Sequence, residues 1–234
     1  MSKCAQWFAV LLAVPMLGSA SVQAASFTHQ VVIPTEDADW DHVVALPQFD
    51  LDSSMGALTH VQIRLLGGLG GTLGVENLDD KFNLVFGDFA GTFEVRDDQN
   101  NVILSLALSR TGSVVLDPFD FDLDYGGASG YTFAGLGSTG QVSQGYTEGV
   151  DDLSPFIGTG NLNFSVRLTD NSSATAGSGT PAYFSTLNGF GILEITYGAS
   201  VVPEPDHLIS VAVLLSLCMV ARHRRKASRR RVLS

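Results

Sequence analysis

Aspartates recur at every second position within the run Asp117-Pro118-Phe119-Asp120-Phe121-Asp122-Leu123-Asp124-Tyr125-Gly126-Gly127. In an extended backbone alternate side chains share a face, so Asp120, Asp122 and Asp124 would line one side and Phe119, Phe121 and Leu123 the other. Three adjacent carboxylates repel one another unless a cation screens them. Calcium, which accepts about six to eight oxygens, is the ion that such a row would suit. The run departs from the helix-loop-helix calcium signature, because Tyr125 stands where that loop needs glycine and Tyr131 where it needs glutamate. The competing reading is a solvated acidic face without an ion. Calcium is therefore the one cofactor the sequence offers, and none is required.

Other catalytic signatures fail in turn. No His-Glu-x-x-His occurs, and the histidines between the two ends, His29, His42 and His60, do not stand at ligand spacing from one another. No serine is framed as Gly-x-Ser-x-Gly. Gly67-Gly68-Leu69-Gly70-Gly71 leads into neither a phosphate loop nor a dinucleotide fingerprint, so it reads as a loop. A glycosidase would need two carboxylates about 5 to 9.5 Å apart, and no acidic pair stands out. The expectation is a protein that is not an enzyme.

The elements that must position these residues are strands. Leu162, Phe164, Val166 and Leu168 alternate with Asn161, Asn163, Ser165 and Arg167, as a half-buried strand requires, and Val61, Ile63 and Leu65 alternate with His60, Gln62 and Arg64. The same reading predicts strands near 27–33, 81–86, 92–95, 102–108, 130–133 and 191–197. The glycine cluster at 67–71 and the polar run from Arg96 to Asn101 read as breaks between them. Asp170 to Thr180, small and polar, reads as a flexible loop. No window carries a helical period capped at both ends. The fold class expected is all-β: one antiparallel sandwich domain of jelly-roll-like build over residues 25–200.

Charge divides the chain unevenly. All 24 acidic residues lie between Glu36 and Asp206, where the only basic ones are Arg64, Lys81, Arg96, Arg110 and Arg167, a balance of −19 for five against 24. Such a body repels nucleic acid. The two cysteines, Cys4 and Cys218, fall outside it, so it holds neither a disulfide nor a thiolate metal site.

The two ends read as addresses. Lys3, an apolar stretch from Trp7 to Leu17 and the small residues up to Ala24 form a signal peptide over 1–24, cleaved after Ala24, with Gly18-Ser19-Ala20 as a second site. At the other end, Val202-Pro203-Glu204-Pro205 is held extended by its prolines. Leu208 to Ala221 then runs fourteen residues without a charge. This is shorter than the usual span of about 17 to 25, yet it has no polar face and can close its own backbone hydrogen bonds as a transmembrane helix. Arg222, Arg224, Arg225, Lys226, Arg229, Arg230 and Arg231 follow, and they resist translocation.

This three-part order over 201–231 resembles the PEP-CTERM sorting signal, with Pro203, Glu204 and Pro205 at the motif positions. The resemblance implies export in a Gram-negative bacterium, transient anchoring in the inner membrane, and processing by an exosortase that removes the tail. The body carries a second resemblance. Leu46-Pro47-Gln48-Phe49-Asp50 and Met55-Gly56-Ala57-Leu58-Thr59-His60-Val61, with Asp117-Pro118-Phe119-Asp120 and Phe156-Ile157-Gly158-Thr159-Gly160 further on, are similar to motifs of the choice-of-anchor E domain. Pro47 would end a strand, Phe49 anchor the core, Asp50 to Gly56 turn, and Leu58 to Leu65 return. The function expected is a non-catalytic secreted protein of the cell surface or extracellular polysaccharide matrix, structural or adhesive. Its alternative is a carbohydrate-binding module in which Trp40, Tyr125, Tyr131 and Tyr146 stack on sugar rings. A secreted hydrolase has no positive signature. The partners expected are the exosortase and export machinery, the exported polysaccharide and, transiently, the inner membrane.

Overall fold

Period-two alternation becomes long strands in the structure, a computed structural model that describes residues 24–51 and 56–200. In chain order the strands are β1 (Ala24–Asp37), β2 (Trp40–Pro47), β3 (Ala57–Glu76), β4 (Asn83–Arg96), β5 (Val102–Leu116), β6 (Gly130–Thr147), β7 (Asn161–Asp170), β8 (Ser173–Ala176) and β9 (Ala182–Ser200). A short 3-10 turn, Ser154–Phe156, lies before β7. Most of the expected signal peptide lies outside the described residues. So do Pro203, Glu204, Pro205, the apolar segment 208–221, the arginine tail and most of the 50–56 turn.

Two antiparallel sheets form a sandwich. One has the order β1-β9-β3-β6 and the other β2-β7-β4-β5, with β8 also beside β4. β7 and β8 lie along the same edge of β4, opposite Gly91–Arg96 and Val85–Asp88, so they are one strand interrupted at Asn171 and Ser172. β8 corrects the expected loop from Asp170 to Thr180, whose middle pairs with a sheet. Inward positions match the alternation: Val61, Ile63 and Leu65 on β3, Val85, Phe89, Phe93 and Val95 on β4, Phe164, Val166 and Leu168 on β7, and Leu193, Ile195 and Tyr197 on β9 are all buried. Each such side chain contributes about 1.5 to 3 kcal/mol by leaving water.

The largest correction concerns Gly67-Gly68-Leu69-Gly70-Gly71, which lies inside a strand of 20 residues and not in a loop. Its inward glycines make room for rings of the opposite sheet. A Cβ on Gly67 would stand 2.9 Å from Phe93, and one on Gly71 would meet the Phe89 ring at 3.2 Å and the Thr186 carbonyl oxygen at 1.8 Å. On the outer face, Gly68 and Gly74 pair directly with Phe190 and Phe184 of β9, whose rings cover them. Glycine here is shaped for aromatic neighbours, a use of glycine in strands that covering rings make stable. β4 is likewise one strand where two were expected, with Gly87 and Gly91 sitting under the side chains of Leu73 and Leu69.

Candidate functional site

Antiparallel strands send their connections to two opposite ends. One end carries residues 77–82, 117–129 and 177–181, and the other carries 97–101, 148–160 and the segment after Pro47. Ala24 and Ser200, paired with each other, lie at the second end.

The first end holds the acidic run, and its geometry corrects the extended row. Residues 117–129 form a chain of bends and turns, with Phe121 at φ 72° and Tyr125 at φ 57°, a region that bulky side chains rarely adopt. The Asp122 N–H donates to Asp120 Oδ1 at 3.0 Å and the Gly126 N–H to Asp124 Oδ1 at 2.7 Å, so two of the three aspartates cap local turns. Phe121 is 91% exposed, on no buried face. The run is not extended, and no group of three His, Cys, Asp or Glu among the described residues is placed to hold a metal ion. The calcium reading loses its geometric premise.

Beneath that loop lie all of the buried polar residues among those described: Glu76, Asn77, Asn83 and Ser129. Asn77 Nδ2 donates to the carbonyls of Lys81 (2.8 Å) and Asp117 (2.7 Å), while its Oδ1 accepts from the Asp79 N–H. Asn83 Nδ2 donates to the Ser178 carbonyl at 2.6 Å and to Asp79 Oδ2 at 3.1 Å. The Tyr125 N–H donates to Glu76 Oε2 at 2.8 Å; Glu76 Oε1 and Ser129 Oγ have no hydrogen-bond partner. Three connections are thus tied to one another by buried side chains.

The second end opens into a cleft of about 540 Å³ between the sheets. Its floor is apolar, from Ile63, Ile103, Leu162 and Phe164. Tyr146 of β6 forms an aromatic wall, backed by the buried Phe156 of the 3-10 turn, with ring centroids 5.0 Å apart and planes at 49°. Around the rim stand Gln48, Gln99, Asn161 and Asn163 with the carboxylates of Asp97, Asp98 and Asp152. No Lys or Arg lines it among the described residues.

Two segments far apart in sequence build that rim. Gln48 Nε2 donates to the Pro155 carbonyl at 2.9 Å, and the Gly160 N–H donates to Gln48 Oε1 at 3.2 Å. The Phe49 N–H donates to the Phe156 carbonyl at 2.8 Å and the Gly158 N–H to the Phe49 carbonyl at 3.0 Å. A Cβ on Gly158 would lie 2.5 Å from Gln48 Oε1, so a side chain there would push Gln48 out of its place. Tyr197, 1% exposed, donates its hydroxyl to the Pro47 carbonyl at 2.7 Å and ties β9 across to β2. Burial pushes the Tyr197 phenol well above its ordinary range.

Electrostatics keep the rim anionic and the tyrosine neutral. The Asn101 side chain, together with the N–H groups of Asn101 and Gln99, holds the Asp97 carboxyl below its ordinary value. Ser154, first by its side chain and then by its N–H, does the same for Asp152. Burial, followed by the nearby Asp151 and Asp97, raises the Tyr146 phenol. Asp98 is exposed and makes no hydrogen bond or ion pair among the described residues.

Of the four aromatics expected to stack on sugars, only Tyr146 lines this cleft. Trp40 is 8% exposed and packs edge-on to Phe93 at 5.9 Å, which removes it from any surface platform. Tyr125 packs on Phe184 and Tyr131 on Phe133, both away from the cleft. Phe156 was hidden from sequence reasoning. Its flanking Ser-Pro and Ile-Gly mark a turn, but the contact of its ring with Tyr146 is made only in the fold.

No family model matches the chain, and no curated protein matches it. Similar solved structures include "Structure of infectious bursal disease virus Gx strain", at 11% identity and TM-score 0.21 over 74% of this chain and 33% of that one. A second is "Crystal structure of the T13 IBDV viral particle reveals a missing link in icosahedral viruses evolution", at 10% identity and TM-score 0.21 over 78% of this chain and 40% of that one. The chain spans less than half the length of either, and at such scores the likeness carries no argument about function.

Proposed function

We propose that the chain is an exported, non-catalytic protein of the cell surface or extracellular polysaccharide matrix, directed there by a PEP-CTERM signal and serving a structural or adhesive role. What carries this reading is the order in the sequence of Pro203-Glu204-Pro205, the uncharged run 208–221 and the arginine-rich end, which follows directly after β9 ends at Ser200. Ala24 and Ser200, the sandwich residues that border the expected signal peptide and sorting signal in the sequence, are paired with each other. We read the sandwich as a jelly roll. With β7 and β8 counted as one interrupted strand, the orders become 1-8-3-6 and 2-7-4-5, two four-stranded sheets of that build. The mature surface form is expected to end near Pro205, and Glu204→Ala to leave the protein in the inner membrane with its tail attached. Mass spectrometry of the C terminus decides this, and an intact arginine tail on surface material would refute it.

A second reading rests on the cleft. An apolar floor, an aromatic wall and a rim of amides and carboxylates are the parts of a small-ligand site. They support a carbohydrate-binding module whose ligand is the exported polysaccharide.

A further inference from the structure

We infer that the cleft between the sheets binds a cationic amino sugar, a glucosamine-type unit with a free amine, in preference to neutral or N-acetylated sugars. This rests on the carbohydrate-binding reading and specifies its ligand.

Asp97, Asp98 and Asp152 stand on one rim with no Lys or Arg in the lining. Asp97 and Asp152 are held below the ordinary carboxylate range by local hydrogen bonds, so both stay ionised through mildly acidic pH. Asp98 has its full hydrogen-bonding capacity left for a ligand. Three anionic groups around one opening repel an acidic sugar and attract an ammonium group.

Tyr146, half-buried, lines the cleft and is backed by the buried ring of Phe156. A cation near the Tyr146 ring face is attracted to its negative π cloud, and the apolar face of a sugar ring packs against the same surface. Tyr146 is kept protonated, so its hydroxyl can donate as well as accept.

Amides on the rim separate a sugar from a basic peptide. Gln99, Asn161 and Asn163 stand on the same rim, and an amide both donates and accepts. Hydroxyl groups, each a donor and an acceptor, match that set; a lysine chain brings only donors at its tip and an apolar stem. The volume of about 540 Å³ suits one or two sugar rings and falls within the usual range of ligand pockets.

The test uses the full-length chain in mild detergent and a fully deacetylated glucosamine hexamer, the N-acetylated hexamer, a glucose hexamer and hexalysine, titrated by calorimetry. The deacetylated sugar is expected to bind at least about tenfold more tightly than either neutral hexamer and than hexalysine. Asp98→Asn with Asp152→Asn is expected to weaken it by about tenfold. Tyr146→Ala is expected to weaken it by several-fold with the thermal midpoint as a check on folding. Asp120→Asn with Asp122→Asn removes equal charge at the other end and is expected to leave affinity unchanged. Equal binding of the acetylated and deacetylated sugars overturns the amine preference but leaves a sugar site standing. Failure of all three sugars removes the carbohydrate reading as well. Hexalysine binding as tightly as the amino sugar, or an equal loss from the distant double variant, assigns the effect to bulk charge and sinks the proposal.

Discussion

The two ends of the sandwich are built from similar material and finished in opposite ways. Both carry connections rich in Asp, Asn and Gly. At the acidic-loop end, polar side chains turn inward: Asn77 and Asn83, 1% and 5% exposed, tie the connections 77–83, 117–129 and 177–179 together. At the cleft end the polar side chains turn outward around an apolar floor, and Gln48 is the staple that fixes one loop beside the opening. A buried amide must satisfy its hydrogen bonds inside the protein, and so it locks backbone in place. A rim amide keeps its bonds available to a ligand. Composition alone therefore does not distinguish a locked end from a receptive one.

That contrast can be broken by substitution. The largest effect is expected from Asn77→Ala, which leaves the Lys81 and Asp117 carbonyls and the Asp79 N–H without their partner. At about 1 to 3 kcal/mol for each unsatisfied buried group, a loss of about 3 kcal/mol is expected. In a chain of this size that lowers the melting temperature by roughly 6 to 12 °C. A midpoint within about 2 °C of the parent would mean that the buried amides do not hold that end.

Next comes Gly158→Ala, whose Cβ must displace Gln48 from its bonds to Pro155 and Gly160. Because these bonds are partly exposed, about 1 to 2 kcal/mol is expected, with the change seen by hydrogen exchange at the Gly158 and Gly160 amides. Unchanged protection there would count against the staple. Tyr197→Phe removes one hydrogen bond while keeping the ring, and about 1 kcal/mol is expected in denaturant unfolding. No measurable change would mean that water replaces the hydroxyl at Pro47.

The smallest effect is one of pH. Asp97 and Asp152 have depressed folded-state pKa values, so the stability they contribute is present above the ordinary carboxylate pKa of about 3.9 and is lost as pH falls through the lower folded values. Both groups are solvent-exposed, so the effect is modest. The double variant Asp97→Asn, Asp152→Asn is expected to show a slightly flatter decline of the melting temperature between pH 5 and pH 2 than the parent. Parallel curves would show that these hydrogen bonds do not favour the ionised forms.

Much of the strand layout was legible. Asn161, Asn163 and Arg167 point to solvent while Phe164, Val166 and Leu168 are buried, as alternation required. The glycines misled, because a cluster such as 67–71 reads as a loop until the rings of Phe93, Phe190 and Phe184 are known to lie over it and its neighbour Gly74. The acidic row was legible as composition and wrong as geometry. Its extended conformation gave way to turns in which Asp120 and Asp124 bond their own backbone. Of the candidate site, Tyr146 was visible as an aromatic and Phe156 only as part of a turn.

By itself, then, the sequence determined which side of each strand faces the core, since a slip of one residue would turn every apolar side chain to water. It also determined the all-β class and the acidity of the body. Only the tertiary structure decided which glycines make room for rings, which asparagines lock loops, and that Gln48 meets Gly160 across more than a hundred residues to frame a cleft. The reason is range. Alternation is a property of neighbours along the chain, whereas packing and rim geometry arise between strands that the topology alone brings together.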